Sequence, residues 1–140
     1  MEKHLAKDHN ILDYGCGSGI LSIASYKLGA KTILGIDNDH QALRNAERNK
    51  SLNSANIDLL HTSDYKTKIK FDIVIANILL KTIISLKEIL LSSLKPKSKL
   101  LLTGVLKDQA IELINSFAPE ISLNIFDEQE DWLLFYGEKN

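Results

Sequence analysis

Two apolar runs, ISLNIF (121–126) and WLLFYG (132–137), are separated only by the five residues DEQED. A parallel crossover needs about a dozen residues or more. If these runs are strands that pair with each other, they form an antiparallel hairpin. The chain before them follows a different pattern. Apolar runs alternate there with helical spacing, as in a parallel sheet flanked by helices. A largely parallel sheet closed by a hairpin is not the usual dinucleotide-binding fold.

The alternation predicts a first strand at Ile11–Gly15 and a helix carrying Ile20, Ile23, Ala24 and Leu28, stopped by Gly29. TILGID is a second strand ending at Asp37. Asp39 is placed to cap a helix with Leu43 and Ala46 facing inward. IDLLH is a short third strand, and Phe71–Asn77 has the continuous apolar character of a central strand covered on both faces. Leu80, Ile83, Ile84, Leu90, Leu91 and Leu94 predict one long helix ended by Pro96. KLLLTG is a fifth strand, and Ala110, Leu113, Ile114 and Phe117 mark a further helix. No repeat, low-complexity segment or linker interrupts residues 1–140, which read as a single domain.

The net charge of −1 gives no field of one sign that would favour nucleic acid or an anionic membrane. Lys66, Lys68 and Lys70, and again Lys95, Lys97 and Lys99, sit where loops enter apolar strands and read as solvated. The single Cys16 excludes an internal disulfide and fits a reducing compartment. His4, His9, His40 and His61 share no ligand spacing with one another or with Cys16, so no metal site is expected. No signal peptide is visible, and no apolar run approaches the roughly 20 residues of a membrane span. A cytoplasmic protein is expected, without membrane or direct nucleic-acid contact.

The chemistry concentrates in NILDYGCGSGILSIASYKLGA, residues 10–30. A dinucleotide fingerprint needs Gly-x-Gly-x-x-Gly, but its sixth position is Ile20 counted from Gly15 and Ser22 counted from Gly17. The Gly-Lys-Ser/Thr of a phosphate loop is absent too. What stands there is Asp13-x-Gly15-x-Gly17-x-Gly19, followed 18 residues after Gly19 by Asp37. Two carboxylates and three glycines suit a cofactor with a sulfonium, an amino-acid tail and an unphosphorylated ribose, namely S-adenosylmethionine. Gly15 and Gly17 let backbone approach the ligand. Asp13 can receive its ammonium, directly or through water, and Asp37 both ribose hydroxyls. Asn38 follows in the same loop. Amides after Gly19 add a favourable dipole for the ligand carboxylate. Ser63 and Asp64, after the third strand, are candidates for the adenine.

ILDYGCGSGILSIASYKLGAKTILGIDNDHQAL, DIVIANIL, LLLTGVLKDQA and the terminal EDWLLFYG together resemble the ribosomal protein L-eleven methyltransferase family, over nearly all of residues 10–138. The resemblance implies a Rossmann-like class I methyltransferase fold with seven strands in the order 3-2-1-4-5-7-6 and helices on both faces. It also implies methylation of lysine and N-terminal amines on a ribosomal protein. A monomer is expected. Gly15, Asp37 and Asn77 match the family's cofactor-contacting glycine, ribose-binding aspartate and strand-four asparagine. Trp132 matches its terminal-strand tryptophan.

Only Met1–Asn10 precede the first strand, enough for the tail of a helix, whereas the family carries a substrate-docking domain and a Gly-Thr-Gly-x-His-x-Thr-Thr segment there. His40 replaces a helix-starting proline, and KPKSK replaces Pro-Gly-Gly. A small-amine methyltransferase and a cofactor-binding remnant without activity stay open beside the main reading.

Methyl transfer from a sulfonium is an in-line displacement that depends mostly on orientation. The attacking amine must be neutral, and an unperturbed lysine is so in only about one molecule in 2,500 at pH 7. A nearby cation and partial desolvation both favour loss of the proton. The Asn77 amide oxygen can accept a hydrogen bond from the amine and aim its lone pair, which makes Asn77 the catalytic candidate; capping the next helix is its alternative role. Asn77-Ile78-Leu79-Leu80 supplies no aromatic shelf for a planar acceptor and suits an aliphatic amine.

Overall fold

The computed structural model describes residues 8–66 and 68–140. Residues Met1–Lys7 lie outside it, and with them His4 and most of the expected N-terminal helix tail. The elements are β1 (Asn10–Tyr14), α1 (Ile20–Lys27), β2 (Thr32–Asp37), α2 (His40–Leu52), β3 (Asp58–His61), β4 (Phe71–Asn77), α3 (Leu80–Ser85), α4 (Lys87–Ser92), β5 (Leu94–Leu106), α5 (Ala110–Phe117), β6 (Asn124–Gln129) and β7 (Trp132–Glu138). Single turns of 3₁₀ helix follow β3 (Thr62–Asp64) and β5 (Lys107–Gln109). The seven strands form one sheet in the order β3-β2-β1-β4-β5-β7-β6. β7 runs antiparallel to both of its neighbours, and the pairs among β1 to β5 are parallel.

Alternate residues of each strand face opposite ways and define two cores. Leu12, Val74, Ala76, Leu100, Leu102 and Phe135 pack with Leu80, Ile83, Leu90, Leu113 and Phe117 of α3, α4 and α5. Ile11, Ile33, Ile73, Ile75 and Leu101 pack with Ile23 of α1 in a smaller cluster. Asp39 caps α2 by accepting from the Gln41 N–H at 2.9 Å, as its position before the helix predicts.

Three local expectations differ from the structure. The long helix after β4 is two short ones broken at Leu86, and Leu94 and Pro96 belong to β5. Buried Ser93 accounts for the early stop: its hydroxyl donates back to the Ile89 carbonyl at 2.7 Å, and its own carbonyl accepts from Phe71 N–H at 2.8 Å. The hairpin is tighter than DEQED implies. Asp127, Glu128 and Gln129 pair with Leu134, Leu133 and Trp132, leaving Glu130 and Asp131 as the turn. Ile20, placed on the inner face of the first helix by its spacing, is 70% exposed, while Ser22 and Ser25 are buried there.

Candidate functional site

β1 and β4 lie side by side at the centre of the sheet, where the strand order reverses. In open α/β sheets ligands bind outside the carboxyl ends of the strands at such a point. A cavity of about 350 Å³ opens there, lined by Tyr14, Gly15, Asp37, Asn38, Thr62 and Ile78, with Thr82, Ser85 and Leu86 behind.

The glycine turn is fastened to β2 rather than to its own strand. Gly15 N–H and Cys16 N–H both donate to the Ile36 carbonyl, at 2.8 and 2.9 Å. Gly17 N–H donates to Asp37 Oδ2 at 2.9 Å, and Asp39 N–H to Asp37 Oδ1 at 2.9 Å. The carboxylate is thereby fixed between two loops, and each oxygen keeps a further lone pair for a ligand hydroxyl.

The glycines at 15, 17 and 19 all have positive φ, at 76°, 55° and 85°, but serve different purposes. A Cβ on Gly17 would meet nothing within 4 Å, so the turn leaves open space for a ligand there. At Gly15 the expected approach is made by protein instead: a Cβ would stand 2.6 Å from Ile78 Cγ2. Gly19 is the N-cap of α1 and lies against Ala46 of α2, 3.3 Å from where its Cβ would be. Gly19 has no side chain to cap α1, and Asp13 accepts from the Ser22 N–H, the third amide of the helix, which leaves those of Ile20 and Leu21 to an anion.

Asp13 is 1% exposed, with its carboxylate turned into the β1–α1 interface and accepting the Ser22 hydroxyl at 2.7 Å. As placed, it braces the turn from behind and offers a ligand no direct contact. Burial pushes its pKa up to about 6 against the opposing Ser22 hydrogen bonds, and the Asp37 charge adds to the rise. Cys16 is buried beside it, and its thiol is pushed up to about 12 by desolvation and then by Asp13 and Asp37, so it is a packing residue in the turn.

Of the residues expected on the adenine side, Ser63 and Asp64 are exposed and do not line the cavity; Thr62, one residue earlier, does. Ser63 is engaged by His61, whose Nδ1 lies 2.8 Å from the Ser63 hydroxyl. Thr62, Thr82 and Ser85 escaped the sequence reading because no spacing rule distinguishes a lining hydroxyl from a solvated one.

Asn77 ends β4 in register with Thr103 of β5. It opens onto a second cavity of about 400 Å³, shared with Ile78, Leu79, Thr103, Gly104 and Trp132. Ile78 belongs to both cavities and separates Asn77 from Asp37. The N-cap of α3 is Leu79, without a side-chain bond, so the alternative capping role of Asn77 is not what the structure has. A bulge between Leu102 and Val105 shapes this chamber. Gly104 there has φ +90°, and a Cβ on it would stand 2.6 Å from the Ile78 carbonyl oxygen.

A reversed terminal strand, a glycine turn and a carboxylate at the end of β2 together define the Rossmann-like fold of class I methyltransferases. The fold matches that of the 16S rRNA N2 G1207 methyltransferase of T. thermophilus, solved with AdoMet and guanosine, with a TM-score of 0.81 at 18% identity over 96% of this chain and 38% of that one. The whole chain, residues 1–140, matches the family described as ribosomal protein L11 methyltransferase (PrmA), and it belongs to that family. The ribosomal protein L11 methyltransferase of Paraburkholderia phymatum is 37% identical over 139 residues, 99% of this chain and 46% of that protein. The ribosomal protein L11 methylase structure from Lactobacillus delbrueckii subsp. bulgaricus superposes with a TM-score of 0.91 at 30% identity, covering 99% of this chain and 74% of that one. The chain thus spans about half the length of the curated relatives it matches.

Proposed function

We propose that residues 1–140 form one S-adenosylmethionine-dependent N-methyltransferase domain acting on primary amines of a ribosomal protein. The observation that carries this reading is the Asp37 carboxylate, held by the Gly17 and Asp39 amides at the rim of the central cavity. An acidic acceptor pair held in this way matches a vicinal diol and would repel a phosphate. Open space at Gly17 and the first two amides of α1 fit the amino-acid end of the same ligand.

In this reading Asp37 accepts the ribose hydroxyls, Asn38 and Thr62 flank the nucleoside, and Gly15, Gly17 and Gly19 shape the turn beneath it. Asp13 acts from behind, by holding Ser22 and through it the start of α1, and water would have to relay any ammonium contact. Ser63 and Asp64 bear on the adenine only through the turn they share with Thr62. S-adenosylmethionine, when bound, supplies the electrophilic methyl group. Asn77 accepts a hydrogen bond from the neutral amine and orients its lone pair, while Leu79, Ile78 and Trp132 exclude water around an aliphatic stem. The acceptor is a polypeptide amine rather than nucleic acid, and the protein works as a cytoplasmic monomer. A net charge of −1 gives no field of one sign that would favour nucleic acid, and among the described residues no helix is long and apolar enough to cross a membrane.

Calorimetric titration with S-adenosylhomocysteine tests the reading. Binding by the wild type that disappears in Asp37→Ala is the expected result. A folded wild-type protein that releases no heat would overturn it.

A further inference from the structure

His40 begins α2 at a position where proline, with its preset φ, is favoured. The structure gives the histidine a partner. Its ring stacks on His61, with centroids 4.3 Å apart and planes 16° from parallel. His61 reaches in both directions from that stack. Its Nε2 lies 3.0 Å from the Asn38 carbonyl, and its Nδ1 accepts from the Ser63 N–H at 3.1 Å and meets the Ser63 hydroxyl at 2.8 Å. One neutral tautomer satisfies all three contacts: the proton sits on Nε2, which donates to Asn38, and Nδ1 is the acceptor.

The two loops joined in this way each supply residues to the central cavity. Asp37 ends β2 and Asn38 opens the loop after it, and Thr62 comes from the 3₁₀ turn after β3. β2 and β3 pair only over Leu34–Asp37 and Asp58–His61, so beyond His61 the ladder no longer fixes one loop against the other. We propose that His61, steadied by His40, is a positioning residue for the nucleoside end of the site: it clamps the loop after β2 to the 3₁₀ turn after β3 and so sets the spacing of Asn38, next to Asp37, from Thr62. This rests on the cofactor reading above and extends it to residues that do not line the cavity.

The clamp is tested by titrating S-adenosylhomocysteine into wild type, His61→Ala, His61→Asn, His40→Ala and His40→Phe, with a thermal melt of each. His61→Ala should weaken binding about tenfold, the equivalent of one net hydrogen bond, with little change in melting temperature. His61→Asn keeps an acceptor for the Ser63 N–H but cannot reach Asn38, and should be nearly as weak; it carries the test if His61→Ala does not fold. His40→Ala should weaken binding in the same direction, and His40→Phe should restore it, because a ring rather than a charge is required for stacking. Wild-type affinity in His61→Ala, or His40→Phe no better than His40→Ala, overturns the clamp and leaves the cofactor reading intact. A wild type that does not bind overturns the cofactor reading and the clamp with it.

Discussion

Asp13 offers a test in which the sign, and not only the size, of the effect is fixed by the structure. Its carboxyl is 1% exposed, and its pKa is raised from 3.8 to about 6, chiefly by burial. A group that holds its proton more tightly in the folded state stabilises that state fully below the unfolded pKa. It loses that contribution as pH rises through the folded one. Two pKa units correspond to about 3 kcal/mol, so ionising Asp13 should remove about that much stability between about pH 3 and pH 7.

Asp13→Asn keeps an oxygen to accept the Ser22 hydroxyl and cannot ionise. Urea denaturation followed by circular dichroism, run on both proteins across this range, isolates Asp13 and its coupling to Asp37, because titrating groups that do not interact with Asp13 cancel in the difference. Asp72 is one of these. Its carboxyl is raised by partial desolvation but held below its ordinary value overall by the Asn10 N–H and Lys95. The variant should gain on the wild type by about 3 kcal/mol from about pH 3 to pH 7, with the gain complete above pH 7. A difference that is flat with pH, or one in which the variant falls behind as pH rises, would show that the buried carboxylate is not ionised at cost and would refute the reasoning.

Gly104→Ala combines a φ of +90° with a Cβ 2.6 Å from the Ile78 carbonyl oxygen and 3.0 Å from its carbonyl carbon and nitrogen. Left-handed strain and overpacking against backbone together should cost roughly 2–5 kcal/mol in urea denaturation; a loss below about 1 kcal/mol would mean that the β4–α3 turn yields easily. Asn77→Ala should slow methyl transfer to a peptide amine by about a hundredfold, the scale expected for loss of orientation. It should weaken S-adenosylhomocysteine binding much less, and equal losses in both would assign Asn77 to the cofactor rather than to the amine.

The glycine turn and Asp37 were legible because they answer to backbone rules: a strand, a positive-φ turn and a strand end must follow in that order. The seven-strand order was carried by the resemblance, since apolar spacing does not say which strands are neighbours. What spacing cannot carry is direction within a turn. Asp13 alternates into the sheet face covered by α1, so it points at Ser22, and only the β1–α1 packing reveals this. The break at Leu86 was hidden because apolar residues continue at helical offsets on both sides of it, while Ser93 stops the helix through tertiary bonds to β4 and Tyr65. His40 stands where the family has proline, and its partner His61 lies 21 residues later, a stacking that no local spacing announces.

The order of the sheet also bears on how the molecule is made. β7 is later in sequence than β5 and β6, yet it lies between them. Every residue of β6 is exposed even in the finished fold, so β6 buries too little to hold a place at the sheet without β7. During synthesis the free edge of β5 therefore stays uncovered until residues 132–138 have emerged, and it is open to pairing with another nascent chain. Protection of that edge comes in one late insertion, so a ribosome stalled in the hairpin would release a sheet with its parallel strands formed and its edge still adhesive.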